Sequence, residues 1–258
     1  MDFEEDLPSL QRAERTGGLS YRGSMNWLCH IAARHLAARP AAMPPPGLLP
    51  ICREIDSLDS FLSPHLKDRQ SCVTIQDIQE HYAFELHRNF SISTICRPYV
   101  SERDVGGIEE PDRAEILARL CSALKRSAEA YLNLRTLSSY ASRSWAFVHN
   151  GLASVLLLSL MKETRDSGET RLLQKRMIES LEQEAPFGTD PGSTQADRLS
   201  DTHEKALKAI KALKKLSELE VDAAVTPQMG AAETGHVPVR SDPTQPANVP
   251  DLAFMPSL

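Results

Sequence analysis

The chain has 258 residues, of which 41% are hydrophobic and 25% are charged, a balance typical of a globular protein rather than a disordered one. Its formal net charge of -6 is concentrated in the acidic residues 1–7 and in the acidic segment 221–258. The remaining body is close to neutral and so gives no electrostatic indication of nucleic-acid binding.

Apolar residues recur at intervals of three and four along most of the chain, which is the period of an amphipathic helix. No segment shows the apolar–polar alternation that marks a strand. These patterns predict an all-α fold, an irregular multi-helix domain with flexible N- and C-terminal tails. Helices are predicted over about 22–39, 49–66, 74–97, 111–138, 143–162, 169–183 and 201–221.

Composition divides the chain into five segments. Residues 1–20 are predicted to be a flexible acidic N-terminus, and residues 21–185 a helical domain. The segment 186–200 is rich in Pro, Gly, Ser and Thr, which predicts a flexible loop. An amphipathic helix over 201–221 and a disordered, proline-rich tail over 222–258 complete the chain.

Local signals set the bounds of two predicted helices. Thr74 and Asp77 resemble a capping box, with Asp in the position that Glu usually holds. Pro98 is predicted to end that helix at Arg97, because proline disfavours the helical conformation of the residue before it. Pro111 is predicted to lie in the first turn of the next helix.

The predicted helix 201–221 has an apolar face and a basic face. The apolar face consists of Leu207, Ile210, Leu213, Leu216 and Leu219, and the basic face of Lys208, Lys211, Lys214 and Lys215. The apolar face must pack on the core, on a second copy of the chain or on a partner. The lysines are expected to form a solvated surface, with contact to an acidic partner or nucleic acid as the alternative.

The cysteines and histidines lack the spacings that metal or redox sites need. The five cysteines, at positions 29, 52, 72, 96 and 121, lie at least 20 residues apart, so neither a zinc motif nor a CxxC redox pair is present. Scattered reduced thiols fit the cytosol or the nucleus. Pairs of histidines such as His30 and His35 do not share a helix face. We therefore expect no metal site and no cofactor.

No nucleophile elbow, phosphate-binding loop or dinucleotide fingerprint occurs in the sequence, so no catalytic residue is predicted. Trp145 and His149 belong to the most hydrophobic predicted helix, 143–162, and are expected to lie in the core rather than to form a site. His149 is interpreted as a core histidine that donates to a neighbouring helix backbone, with proton transfer as the alternative. The most apolar stretch, Leu152–Met161, has ten residues. A bilayer span needs about 20, so no membrane contact is predicted.

Two segments resemble the regulatory domain of fungal-specific transcription factors, the family headed by a six-cysteine binuclear zinc cluster. The first is His81-Tyr82-Ala83-Phe84-Glu85-Leu86-His87, continuing through Phe90-Ser91-Ile92-Ser93 to Ile95-Cys96-Arg97-Pro98. The second and more specific is Arg143-Ser144-Trp145-Ala146-Phe147-Val148-His149-Asn150-Gly151-Leu152-Ala153-Ser154, followed by Leu156-Leu157-Leu158. The similarity covers about residues 20–185 and corresponds to the carboxy-terminal half of that domain.

The resemblance implies an all-helical regulatory region of a nuclear transcription regulator that controls metabolic or secondary-metabolite genes. The family's zinc cluster uses closely spaced cysteine pairs followed by basic residues, whereas the first cysteine here, Cys29, stands alone. No zinc-binding or DNA-binding residue can therefore be carried over, and direct DNA binding is not expected from this chain alone.

The expected partners are the transcription machinery or a full-length relative, in a homodimer or heterodimer. Two alternative functions belong to other classes of protein. In the first, the chain is a scaffold for interaction or dimerisation, or a truncated gene product. In the second, it is a helical enzyme that uses His149.

Overall fold

The structure, a computed structural model, describes residues 17–37, 48–101, 110–137, 144–182 and 201–225, together with Leu10 and Ala141. Across these residues it contains eight α-helices and no strand, so the predicted all-α class is confirmed. Most of the predicted flexible terminus 1–20, the loop 186–200 and nearly all of the tail 222–258 lie outside the described residues.

The helices are α1 (Tyr21–Ala37), α2 (Leu48–Ser57), α3 (Pro64–Lys67), α4 (Ile75–Ser101), α5 (Glu110–Leu137), α6 (Trp145–Leu160), α7 (Gly168–Glu182) and α8 (Asp201–Val225). Short 3₁₀ turns over Leu58–Ser60 and Arg69–Ser71 flank α3. Seven of the eight α-helices begin within about two residues of a predicted start, and α3 is the exception.

The single helix predicted over 49–66 is wrong, because the chain bends after α2. The Leu19 N–H donates to the carbonyl of Phe61 at 2.6 Å, and the Ser63 N–H donates to the carbonyl of Leu19 at 3.1 Å. This isolated bridge uses backbone groups that a continuous helix would need internally. Pro64 then fixes Ser63 in an extended conformation and starts α3.

Gly18 makes this bridge possible. Its φ is +105°, and a Cβ at this position would lie 2.5 Å from the backbone nitrogen of Ser63. Only glycine combines that left-handed conformation with so close an approach of two backbones. Residues 17–20 are therefore tied to the segment after α2, although their composition placed them in the flexible N-terminus.

Helix α4 begins at the predicted capping box. The Asp77 N–H donates to Thr74 Oγ1 at 3.0 Å, and the Thr74 N–H donates to Asp77 Oδ2 at 2.8 Å. The predicted end at Arg97 is wrong, because α4 continues through Pro98 to Ser101. In the last turn of a helix, proline removes one backbone hydrogen bond without breaking a long ladder.

Helices α4, α5 and α6 form the centre of the fold. Helix α5 packs along both α4 and α6, helices α1 to α3 cover α4, and α7 and α8 cover α6. The core side chains come from all of these layers, and they include Phe84, Leu124, Tyr131, Leu152, Met177 and Ile210. Of the predicted apolar face of α8, Leu207 and Ile210 are buried in the core, whereas Leu216 is exposed because it lies on the opposite side of the helix from Leu207.

Small residues let α5 and α6 approach closely. A Cβ placed on Gly151 would lie inside van der Waals distance of the Tyr131 ring, which is fully buried. One turn farther along α6, the Ser154 hydroxyl donates to Ser127 Oγ at 3.0 Å inside the core. The packing at this crossing therefore depends on the absence of a side chain at Gly151.

Replacing Gly151 with alanine is expected to destabilise the protein. Alanine favours a helix by about 1 kcal/mol over glycine, but here its methyl group forces Tyr131 to move, which costs about 1–3 kcal/mol. We expect the free energy of unfolding in urea to fall. The matched control is Gly168→Ala, whose Cβ meets open space at the start of α7. An equal response of the two variants would contradict the proposed close packing.

Candidate functional site

Four ring-bearing side chains from three helices meet at one place, which we call the aromatic–histidine cluster: Phe90 of α4, Trp145 and His149 of α6, and His203 of α8. The Trp145 and His149 rings stack with centroids 4.6 Å apart and planes inclined by 9°. The His203 ring lies 5.6 Å from Trp145 and 6.0 Å from His149, and Phe90 meets His149 edge-on at 5.9 Å.

The sequence explains two members of the cluster directly. Trp145 and His149 are four residues apart, so they lie one above the other on the same face of α6. His203 comes from the first turn of α8, 54 residues along the chain. No sequence signal connected it to His149, and only the packing of α8 on α6 brings the two rings together.

The prediction that Trp145 belongs to the core is wrong, because its side chain is 49% exposed. His149 is half-buried. The face of α6 that does enter the core carries Val148, Leu152, Val155 and Leu158. Because α6 is apolar on nearly every side, its sequence does not indicate which side faces water.

Among the residues that the structure describes, His149 makes no hydrogen bond to a helix backbone, and its contacts are with aromatic rings and imidazole. His81 makes such a bond instead. Its Nδ1 donates to the carbonyl of His65 in α3 at 3.1 Å, and its side chain is buried. The hydrogen bond to a neighbouring helix backbone that was expected of His149 is therefore made by His81.

Asn150, next to the cluster, connects α6 to α4. Its buried side-chain amide donates to Nδ1 of His87 at 3.1 Å, and the His87 ring packs on Phe147 with centroids 5.2 Å apart. Burial lowers the pKa of His87. His87 is therefore neutral near pH 7, and its Nδ1 is available to accept the Asn150 proton.

The two histidines of the cluster are also held neutral. Burial, with a smaller effect from Arg97, lowers the pKa of His149. Burial, with a smaller effect from His149, lowers the pKa of His203 to about 4. The two imidazoles lie so close that protonation of one opposes protonation of the other.

The cluster is made of stacked and edge-on rings. A catalytic histidine is oriented by a carboxylate or acts on a nucleophile, and around His149 the described residues provide aromatic rings and the positive charge of Arg97. In the part of the chain that the structure describes, no three His, Cys, Asp or Glu residues are placed to bind a metal ion. Its helices also include none with the length and apolar character that crossing a membrane requires.

A comparison with known proteins found no family model, no curated protein and no solved structure that matches this chain. The site is therefore interpreted from its own geometry and from the resemblance noted in the sequence.

The stability of the fold is expected to decrease in acid through His203. The unfolded chain binds a proton at this residue near pH 6.5, whereas the folded chain does so near pH 4. Between these values the unfolded state holds more protons, so acidification favours it. As the pH falls from 7 to 4, the His203 contribution to the free energy of unfolding should decrease by up to about 3 kcal/mol.

Urea unfolding at a series of pH values measures this effect. The His203→Gln variant, which cannot gain the proton, should show a shallower loss of stability in acid than the parent. His30→Gln, in which the replaced ring lies outside the cluster, is the matched control. Parallel pH profiles for the parent and the His203→Gln variant would contradict the assignment.

Proposed function

We propose that this chain is a non-catalytic helical regulatory domain of the fungal transcription-factor type, which acts in the nucleus through protein contacts. The observation that carries the proposal is the hydrogen bond between Asn150 and His87. These residues belong to the two separate segments in which the sequence resembles the regulatory domain, and they lie 63 residues apart.

Further contacts join the same two segments. The Phe147 ring packs on His87, and the His149 ring meets Phe90. The motif residues thus serve a shared purpose, which is to fix α6 against α4. Two motif segments that contact each other in the structure support the resemblance more strongly than two short sequence matches taken separately. The contact supports a similarity of fold to the regulatory domain.

The charge of the chain supports action through protein partners. Its body is close to neutral, so its overall charge gives no indication of the phosphate-binding surface that direct DNA binding uses. In this proposal the DNA contact is supplied by the partner, either the transcription machinery or a full-length relative. The regulated genes are proposed to be metabolic or secondary-metabolite genes, as in the family that the chain resembles.

The exposed side chain of Trp145 is the best candidate for the contact residue. Tryptophan is enriched among residues that dominate binding at protein interfaces, and stacking on His149 holds this ring in one orientation. Because the ring is already ordered, little conformational entropy is lost when a partner covers it.

A tethering experiment tests the proposal. The chain is fused to an unrelated DNA-binding domain in a fungal host, and transcription of a reporter with the matching operator is measured. We expect the fusion to change reporter output, and Trp145→Ala to return it toward the level of the DNA-binding domain alone. Leu172→Ala is the matched control, because Leu172 is similarly exposed at 54% but lies on α7.

Both variants should keep their far-UV circular dichroism and thermal midpoint near those of the parent, since neither side chain is buried. Two further measurements address the whole proposal: the location of the tagged chain and the transcripts of a deletion strain. A chain excluded from the nucleus, with no transcript altered by its deletion, would refute the regulatory function.

One observation favours the scaffold alternative. Leu207 and Ile210 of α8 are buried in the core, whereas Leu216, which lies on the opposite side of α8 from Leu207, is 58% exposed. A second copy of the chain that covers Leu216 would bury this exposed apolar side chain.

If α8 forms a dimer interface, Leu216→Glu should shift the chain to a larger elution volume on a sizing column, because it places a charge in the contact. Leu172→Glu, at an exposed leucine of α7, is the control. This point substitution is a better test than removal of residues 201–221, since such a deletion also removes Leu207 and Ile210 from the core. A parent chain that already elutes as a monomer would contradict the scaffold.

A further inference from the structure

Two buried cysteines from different helices face each other in the core. Cys52 of α2 and Cys96 of α4 are fully shielded from solvent, and their sulfur atoms are 3.7 Å apart. They are 44 residues apart in the sequence, so a search for closely spaced cysteines could not detect the pair. In a disulfide the two sulfurs are about 2.05 Å apart, so bond formation requires a small movement of the two side chains or helices.

The two thiols differ in their readiness to react. The two sulfurs share one hydrogen bond, in which either thiol can be the donor. This hydrogen bond lowers the pKa of Cys52, and Arg119 lowers it further against the opposing effect of burial. The same hydrogen bond and burial raise the pKa of Cys96. Cys52 therefore gives up its proton more readily than Cys96, and we assign it as the attacking thiol.

Charged groups near the pair lie at the protein surface. Arg119 Nη1 donates to Asp56 Oδ2 at 2.7 Å and Arg119 Nε donates to Glu115 Oε1 at 3.1 Å. All three charges act on Cys52, and their side chains are 27% to 41% exposed. The pair thus lies close to surface ion pairs that are weakly held in water, so a small oxidant can reach it from this side after a local opening.

We propose that Cys52 and Cys96 form a reversible intramolecular disulfide when the chain meets a peroxide. The Cys52 thiolate attacks one oxygen of hydrogen peroxide, the O–O bond breaks, and the departing hydroxide takes up a proton to become water. Cys52 is left as a sulfenic acid. Cys96 then loses its proton and attacks the Cys52 sulfur, and the expelled hydroxide leaves as a second water. In total, two thiols and one peroxide give one disulfide and two waters.

The disulfide would act on a junction of three helices. Asp56 of α2 also accepts from Arg88 of α4 at 3.3 Å, and Asp59 accepts from Arg88 Nη1 at 2.6 Å. A bond between the two sulfurs would join α2 to α4 covalently at the junction that these ion pairs also hold. The link is a covalent modification of the core, and it is independent of the proposed regulatory function.

Peptide mapping of the native chain tests the proposal without any variant. The protein is treated with hydrogen peroxide, denatured in a thiol-blocking reagent and digested, and the digest is examined by mass spectrometry. We expect one cross-linked peptide that joins Cys52 to Cys96, lower in mass by two hydrogens than the sum of its parts and separated by dithiothreitol. Absence of this peptide, or cysteines oxidised one by one to sulfinic acids, would overturn the proposal.

Variants test the assigned roles. A chain with Cys29→Ser, Cys72→Ser and Cys121→Ser keeps only the pair and should lose both remaining thiols without forming dimers. Adding Cys96→Ser removes the resolving thiol, so a dimedone adduct should then appear on Cys52. The matched control is the chain with Cys52→Ser and Cys96→Ser, which retains the other three cysteines and should form no intramolecular link. A dimedone adduct found on Cys96 in a Cys52→Ser chain, with none on Cys52 in the Cys96→Ser chain, would overturn the assigned direction of attack.

Discussion

The close crossing of α5 and α6 at Gly151 is the constraint on which the rest of the fold depends. Because Gly151 has no side chain, the Tyr131 ring lies directly against the backbone of α6, and Ser127 and Ser154 can hydrogen bond across the same interface. This contact fixes the rotation of α6. It thereby decides which residues of α6 meet the core, which meet α4 and which remain at the surface.

The aromatic–histidine cluster follows from that rotation. With Val148, Leu152 and Val155 turned inward, Asn150 meets His87 of α4, and Trp145 and His149 lie at the edge of the core. Helix α8 then adds the His203 ring to the stack. Burial keeps the histidines neutral, so the cluster presents uncharged rings, and the Trp145 ring is exposed at its edge. In the proposed function this surface contacts a protein partner.

A network of ion pairs and a pair of buried thiols lie on the opposite side of α4. Asp56 of α2 accepts hydrogen bonds from Arg88 of α4 and Arg119 of α5, and the two thiols lie in contact in the core. Arg119 links the two features, because its positive charge also favours the Cys52 thiolate. A surface ion-pair network and a buried sulfur pair are thus electrostatically coupled at one helix junction.

The sequence by itself determined the class of the fold and most of its helices. The three- and four-residue periodicity, the Thr74–Asp77 cap and the scarcity of strand patterns depend on local interactions, which neighbouring residues specify. It did not determine the break after α2 or the continuation of α4 past Pro98. The first depends on a backbone contact with Leu19. In the second, Pro98 lies in the last turn of α4, where it removes only one backbone hydrogen bond.

Only the tertiary structure decided which residues form a site. Trp145 was expected in the core because α6 is apolar on nearly every side, and a helix of that kind has no preferred inner face until its neighbours are in place. His203 beside His149, and Cys52 beside Cys96, are pairs separated by 54 and 44 residues. Their contacts arise from long-range packing of helices, for which a single sequence carries no local signal.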